Sequence, residues 1–153
     1  MKRFLLLLSL SLVTIPLHAE VRADARAGVF AGSDTHPAGS AELDVRYGDW
    51  SFAPAYELIQ GGYGLHAIHV DVRRLVRNEH STFWLGAGPT FVKSNNPSSM
   101  TTWNVDTGFE WRTKNRFEPF VAARFFSYRL PVFRDVIKGS GAVISVGVSV
   151  RLR

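Results

Sequence analysis

The chain has 153 residues, of which 46% are hydrophobic and 20% are charged, and it contains no cysteine. This composition excludes intrinsically disordered and disulfide-framework proteins, and the missing thiols exclude cysteine nucleophiles, zinc–thiolate sites and iron–sulfur clusters. The formal net charge is +5, and it falls by two if Lys2 and Arg3 leave with a targeting signal. We therefore expect one domain and no nucleic-acid partner.

The first residues have the pattern of a targeting signal rather than of a folded segment. Lys2 and Arg3 are followed by an uncharged, largely apolar run that ends at the small residue Ala19, as in secretory signal peptides. A membrane anchor is disfavoured because the run is shorter than the roughly 20 residues that a helix needs to cross a bilayer. The sequence predicts a signal peptide over residues 1–19 and one domain over residues 20–153.

Beyond the signal, hydrophobic residues recur with a period of two, and glycine, proline, asparagine and aspartate separate the alternating segments. This pattern predicts β-strands, because successive side chains of a strand point to opposite faces. Eight strands are predicted, over residues 21–31, 40–47, 50–60, 64–75, 81–93, 102–113, 117–128 and 142–152.

The sixth and eighth segments show the alternation most clearly. In the sixth, Val105 and Phe109 share one face, whereas Asp106 and Glu110 share the other. The eighth alternates in the same way between aliphatic residues and serine, glycine or arginine. The seventh, over residues 117–128, is aromatic on both faces, so its orientation stays open.

Eight such strands predict a closed, antiparallel, up-and-down β-barrel. A membrane-crossing strand needs about 9–11 residues, so eight strands and their turns fit the length after the signal. The alternation alone leaves two architectures open. A lipocalin-like soluble barrel has its apolar face inside, whereas an outer-membrane barrel has it against lipid. Three features favour the transmembrane barrel.

Aromatic residues bracket the apolar faces. Trp103 and Trp111 are eight residues apart, as are Phe83 and Phe91. At roughly 3.3 Å per residue and a tilt near 40°, eight residues cover about 20 Å of the membrane normal. This spacing is typical of an apolar band between two aromatic girdles.

The polar faces carry charges of both signs together with small residues such as Gly86 and Gly108. An eight-stranded barrel has no room for a channel, so side chains fill its lumen and charges there must pair. A solvated outer face, the alternative, needs no pairing. The predicted lumen network comprises Arg22, Asp24, Arg26, Glu42, Asp44, Arg46, Glu57, Asp71, Arg73, Asp106, Glu110, Arg112, Arg124 and Arg151.

The predicted connections differ in length between the two ends of the barrel. Short turns on one side and longer loops on the other are typical of bacterial outer-membrane barrels, and with a secretion signal they predict both termini in the periplasm. Long polar connections are expected over residues 32–39, 94–101 and 129–141, a shorter one over 61–63, and short turns over 48–49, 76–80 and 114–116.

The histidines do not form a metal-binding pattern. His66 and His69 are three residues apart, which places them on opposite faces of a strand. We expect His69 to join the lumen network near Asp71, His66 to lie at the membrane interface, and His36 and His80 to be solvated. Arginines are as abundant as the paired carboxylates on the polar faces, which favours salt bridges over acid–base catalysis. The sequence contains no P-loop, nucleophile elbow or dinucleotide fingerprint. We therefore expect no metal and no cofactor.

The second half of the chain resembles a known family. Its segments over residues 85–94 and 105–112 are followed by Ala123-Arg124-Phe125-Phe126-Ser127-Tyr128, a loop and a final strand. This order is similar to that of the outer-membrane lipid A 3-O-deacylases. The resemblance implies an eight-stranded outer-membrane barrel located at lipopolysaccharide, from which family members hydrolyse an ester-linked acyl chain.

The catalytic motif of that family is incomplete here. Family members carry His-x-Ser-Asn near the extracellular end of strand seven, and a later glutamate orients the histidine. Ser127 matches the serine, but Phe125 stands at the histidine position and Tyr128 replaces the asparagine. No aspartate or glutamate occurs over residues 136–153. Since a serine hydroxyl without a base is a poor nucleophile, we expect Ser127, the catalytic candidate, to be inactive.

The sequence thus predicts a small, monomeric outer-membrane barrel of the lipid A deacylase-like type. Its expected role is structural, lipid-binding or interacting, with outer-membrane lipid or lipopolysaccharide as partner. One alternative is a lipid A 3-O-deacylase with a rearranged site around Ser127. His36, expected in the first extracellular loop, is the histidine most able to serve it, and Asp135 is the nearest downstream carboxylate. The other alternative is a soluble periplasmic barrel that binds an apolar ligand.

Overall fold

The fold is described by a computed structural model over residues 19–32, 34–61, 64–95, 99–132 and 135–152. All but the last residue of the predicted signal peptide lies outside these described residues. No helix in the described part of the chain is long and apolar enough to cross a membrane.

Eight strands follow one another along the chain and close into a barrel. Each pairs antiparallel with its neighbours in sequence, and the first also pairs with the last. The predicted all-β, eight-stranded antiparallel up-and-down barrel is confirmed. The strands are β1 (Glu20–Ala31), β2 (Thr35–Tyr47), β3 (Trp50–Ile59), β4 (Leu65–Arg77), β5 (Ser81–Ser94), β6 (Ser99–Trp111), β7 (Phe117–Val132) and β8 (Asp135–Arg151).

The two ends of the barrel are distinguished by the position of the chain termini. The near end carries the start of β1, the end of β8 and the turns at residues 48–49, 78–80 and 112–116. The far end carries the connections that follow β1, β3, β5 and β7.

Side chains alternate between the lumen and the outer surface. In β6, Asp106 and Glu110 are fully buried, whereas Val105 is 46% exposed. The same alternation resolves the orientation of β7, because Glu118 and Arg124 are buried in the lumen. Charged side chains of this strand find partners inside the barrel, and this pairing decides which of its two aromatic faces points inward.

The predicted long loops at the far end are wrong. β2 already begins at Thr35 and includes Pro37, β6 begins at Ser99, and β7 and β8 run to Val132 and from Asp135. Most residues that the sequence assigned to loops therefore continue the strand ladder. In a closed barrel every strand has neighbours on both sides, and this pairing outweighs the weak β propensity of glycine, proline and aspartate.

Glycines make room for the largest side chains of the lumen. A Cβ atom at Gly108 would collide with the indole ring of Trp84, its cross-strand partner on β5, which lies over the glycine. The Trp84 ring packs edge to face on Phe120, with ring centroids 5.8 Å apart. A narrow barrel is filled in this way, by setting large residues against small ones.

Candidate functional site

The near-end part of the lumen is a set of shared ion pairs. Arg46 donates two hydrogen bonds of 3.0 Å to Glu110 and a third of 2.6 Å to Asp44. Arg22 pairs with Glu110 at 2.9 Å and also with Glu118. Bidentate and charge-assisted bonds of this kind are the strong class of side-chain hydrogen bonds. They tie four different strands together across the lumen.

Glu42 is the centre of the middle part of the lumen. Its carboxylate accepts hydrogen bonds from Arg26 at 2.6 Å, from Arg73 at 2.5 and 2.7 Å, and from Arg124 at 3.2 Å. Arg73 also pairs with Asp106 at 2.7 Å. Three guanidinium groups thus converge on one buried carboxylate, and each of them reaches a further acid.

Polar side chains extend the network toward the far end. Arg124 pairs with Asp71 at 2.9 Å, and Asn104 donates a hydrogen bond of 2.8 Å to the same carboxylate. His69 is fully buried and lies 3.0 Å from Glu57 through Nε2. The expectation that His69 joins the lumen network is confirmed, with Glu57 as its direct partner.

An apolar cap follows the polar network at the far end of the lumen. The rings of Phe30 and Phe126 lie 5.8 Å apart between their centroids. Because buried side chains occupy the lumen from Glu110 to this cap, the described part of the barrel is filled rather than hollow. The buried members of the cap are Phe30, Ala38, Ile59, Leu65, Ala67, Val92, Phe126 and Val143.

Most members of the predicted lumen network are confirmed, Arg151 at its near-end mouth among them, and Arg112 is corrected. Arg112 follows the end of β6, is exposed, and donates to the main-chain carbonyl of Asn78. Arg151 lies at the near-end mouth with 38% of its side chain exposed, where it pairs with Glu118 at 2.6 Å. The prediction missed Glu118, although its even spacing from Arg124 places both residues on one face.

Asp24 is the least compensated carboxylate of the network. It is buried, and its Oδ1 atom has no hydrogen-bond partner among the described residues. The residue across from it on β2 is Glu42, another acid. Unlike the other lumen acids, Asp24 forms no ion pair with any described residue, and a buried charge without an opposite charge beside it lowers stability.

The outer surface is apolar between two aromatic borders. The strand residues that face outward between these borders are mostly aliphatic, and Val146, for example, is 62% exposed. Trp50, Phe83, Trp111 and Phe117 form the near-end border, and Tyr56, Phe91, Trp103 and Phe125 form the far-end border. This distribution is the reverse of a soluble barrel with an apolar ligand cavity, whose apolar face points inward.

Ser127, the catalytic candidate, lies on the outer surface of β7 toward the far end. It pairs with Ser140 of β8 and contributes to a shallow groove of about 450 Å³. None of the described side chains that line the groove can accept the proton of the hydroxyl as a general base. They belong to Phe125, Phe126, Ser127, Ser140 and Ala142, with Gly141 between them.

His36, the histidine expected to serve Ser127, does not lie beside it in the described structure. His36 is not in a loop but in β2, opposite Phe30 of β1. Since cross-strand partners share a face and Phe30 is buried in the lumen, the wall of the barrel separates His36 from Ser127. Asp135 begins β8, and its side chain lies outside the described part.

The other histidines behave as their spacing predicts. His66 lies on the outer surface and His69 in the lumen, so the two rings are on opposite sides of the wall. Within the described residues, no group of three or more His, Asp or Glu side chains is arranged to hold a metal ion.

No protein-family model matches the chain, and no curated protein matches it in sequence. Solved structures match it in fold. Neisserial surface protein A (NspA) has a TM-score of 0.67 at 16% sequence identity, and the match covers 88% of this chain and 97% of that one.

Two further structures show the same similarity. The N-terminal β-barrel domain of Pseudomonas aeruginosa OprF matches with a TM-score of 0.54 and 14% identity, over 84% of this chain and 96% of that one. The outer-membrane enzyme PagL matches with a TM-score of 0.53 and 12% identity, over 83% and 98%. At these identities the similarity concerns the fold, which is that of the small eight-stranded outer-membrane β-barrels.

Proposed function

We propose that this chain is a monomeric integral protein of the bacterial outer membrane with a structural and lipid-binding role, exported by a signal peptide over residues 1–19. The observation that carries the proposal is the inversion of polarity, with an apolar outer surface around a lumen of ion pairs. An exposed apolar surface of this extent is a liability in water, whereas hydrocarbon solvates it.

The dimensions of the apolar surface support the same location. Phe83 and Phe91 on β5, and Trp103 and Trp111 on β6, are each separated by eight residues. That separation corresponds to about 20 Å along the membrane normal for tilted strands, close to the apolar band of an outer-membrane barrel. The expected partner is the lipid of that membrane, lipopolysaccharide included.

We also propose that the chain is a catalytically inactive relative of the lipid A 3-O-deacylases. Ester hydrolysis by a serine needs a base within hydrogen-bond reach of its hydroxyl. The groove around Ser127 presents aromatic, serine and small aliphatic residues in its described lining. The exposure of Ser127 on the lipid side is the one observation that favours the enzyme alternative.

Expression in a Gram-negative host tests the location and the activity in the same cells. Membranes are separated by density, and extracted lipid A is analysed by mass spectrometry for the wild type, Ser127→Ala and His36→Ala. We expect the chain in the outer-membrane fraction and no change in lipid A mass. Recovery from the soluble periplasmic fraction would contradict the location. Loss of one 3-hydroxyacyl chain that depends on Ser127 would establish the enzyme alternative.

A further inference from the structure

A cleft of about 880 Å³ lies on the outer surface over β3 to β6, at the far end. Two neighbouring rows of cross-strand partners form its wall, and the row nearer the far end is the more polar one. The first row consists of Tyr56, Ile68, Phe91 and Thr101, and the second of His66, Lys93 and Ser99. Val92, Ser94 and Met100, on the lumen side of the same strands, complete the lining.

Hydrogen bonds fix the polar row in place. Nδ1 of His66 lies 2.6 Å from the hydroxyl of Tyr56, and Nε2 lies 3.1 Å from Oδ1 of Asn95. Because an amide oxygen only accepts, Nε2 donates to Asn95, and Nδ1 accepts the hydroxyl proton of Tyr56 in the neutral ring. The acceptor atoms of His66 and Asn95 are therefore both in use.

Gly64 positions Asn95 above His66. It has a φ angle of 46°, which favours glycine, and its carbonyl accepts the main-chain N–H of Asn95 at 3.1 Å. A Cβ atom at Gly64 would collide with the side-chain amide of Asn95. The connection between β3 and β4 is thus shaped to hold this amide in the cleft.

The polar row keeps unused donors and one unpaired positive charge. Lys93 is exposed, and it forms no ion pair or side-chain hydrogen bond with any described residue. No acidic side chain described in the strands points outward to neutralise it. The amide nitrogen of Asn95 and the hydroxyl of Ser99 line the same cleft. Donors beside a cation suit an anion that carries several acceptor oxygens.

The apolar row lies next to these donors, on the side toward the middle of the barrel. Ile68 and Phe91 line the cleft, and Phe91 belongs to the far-end aromatic border. In the proposed membrane, this border is where hydrocarbon gives way to lipid headgroups. The cleft therefore combines a cationic headgroup position with an apolar surface for a chain.

We propose that the cleft binds one phosphate-bearing lipid of the far-end leaflet, with its phosphate at Lys93 and Asn95 and an acyl chain along Ile68 and Phe91. A phosphate has only acceptor oxygens, and an ammonium group pairs with it as a point charge. The inference rests on the proposed membrane location, and it adds to that location a defined site and a headgroup chemistry.

Native mass spectrometry of the full mature chain in detergent micelles tests the site. The probes are diphosphorylated lipid A and the same lipid with both phosphates removed. We expect the wild type to retain the phosphorylated lipid about tenfold more strongly, and Lys93→Gln to lose this preference. Arg74→Gln is the matched control, because Arg74 is an exposed outer-surface cation at the near end, where it pairs with Asp49.

Two results separate failure of the site from failure of the location. Equal retention of both lipids by the wild type, or an undiminished preference in folded Lys93→Gln, would overturn the lipid site and leave the membrane location intact. Failure of the wild type to insert into lipid vesicles would overturn the location itself. Circular dichroism confirms that each variant retains its β structure.

Discussion

Single residues of the lumen differ in what they contribute, even when their chemistry is the same. Glu42 accepts hydrogen bonds from Arg26, Arg73 and Arg124, whereas Asp24, directly across from it, has an unpartnered buried oxygen. A buried ion pair balances the cost of desolvation against attraction, so its effect on stability depends on its partners. Neutralisation of Glu42 is therefore expected to lower stability much more than neutralisation of Asp24.

Glu42→Gln is expected to lower the free energy of unfolding by about 3–5 kcal/mol, because it leaves buried arginines without their shared anion. Asp24→Asn is expected to cost little or to stabilise, since it removes a like charge opposite Glu42. Asp49→Asn, which breaks an exposed pair with Arg74, is the control and should change stability by about 1 kcal/mol or less.

Urea unfolding in micelles, followed by circular dichroism, measures these changes. A loss for Glu42→Gln no larger than that for Asp49→Asn would mean that water, and not the arginines, surrounds the lumen carboxylates.

At the scale of elements, the sequence predicts the features that depend on alternation within one strand. It does not predict the features that depend on pairing with neighbouring strands. The number of strands follows from the period of two. The inward face of β6 follows because Asp106 and Glu110 can be buried only beside arginines that pair with them. The far-end strand limits do not follow, since Pro37 continues β2 through pairing that a single segment does not encode.

The sequence does not predict the cleft over β3 to β6, for a similar reason. His66 was expected at the interface, but its alignment with Lys93 depends on the register between β4 and β5. Its contact with Asn95 also depends on the hydrogen bond from the main-chain N–H of Asn95, just after β5, to the carbonyl of Gly64, just before β4. Each residue is ordinary in the sequence, and only the closed barrel brings the set together.

Val146→Arg tests the outward face of β8. Val146 lies opposite Val121 of β7, which is four residues from each of the border residues Phe117 and Phe125, and it points away from the lumen. An arginine near the bilayer midplane costs about 2–4 kcal/mol, so folding into vesicles should weaken by that amount. Asn115→Arg, in an exposed near-end turn, should cost little. Equal folding free energies for the two variants would contradict a lipid-facing wall.

At the scale of the whole molecule, the described part of the chain is a closed barrel whose lumen holds the buried acids and arginines and whose outer surface is mostly apolar. The same fold carries many functions, so the fold alone does not assign one. Two candidate features lie on the outer surface: the groove at Ser127, whose described lining offers no base, and the cleft at Lys93, a cation that forms no ion pair with any described residue. Both features have meaning only if lipid surrounds the barrel.

Spin labelling in lipid vesicles is the most direct test of whether lipid surrounds the barrel. Because the chain has no cysteine of its own, a label can be attached to one introduced cysteine at a time. Labels are placed at Ile144, Val146 and Val148, which face outward along β8, and at Asn115 in the near-end turn. We predict that the three β8 labels collide with oxygen dissolved in the bilayer and escape a water-soluble nickel complex, which reaches the label at Asn115. Access of the nickel complex to all three β8 labels would contradict a membrane-spanning barrel.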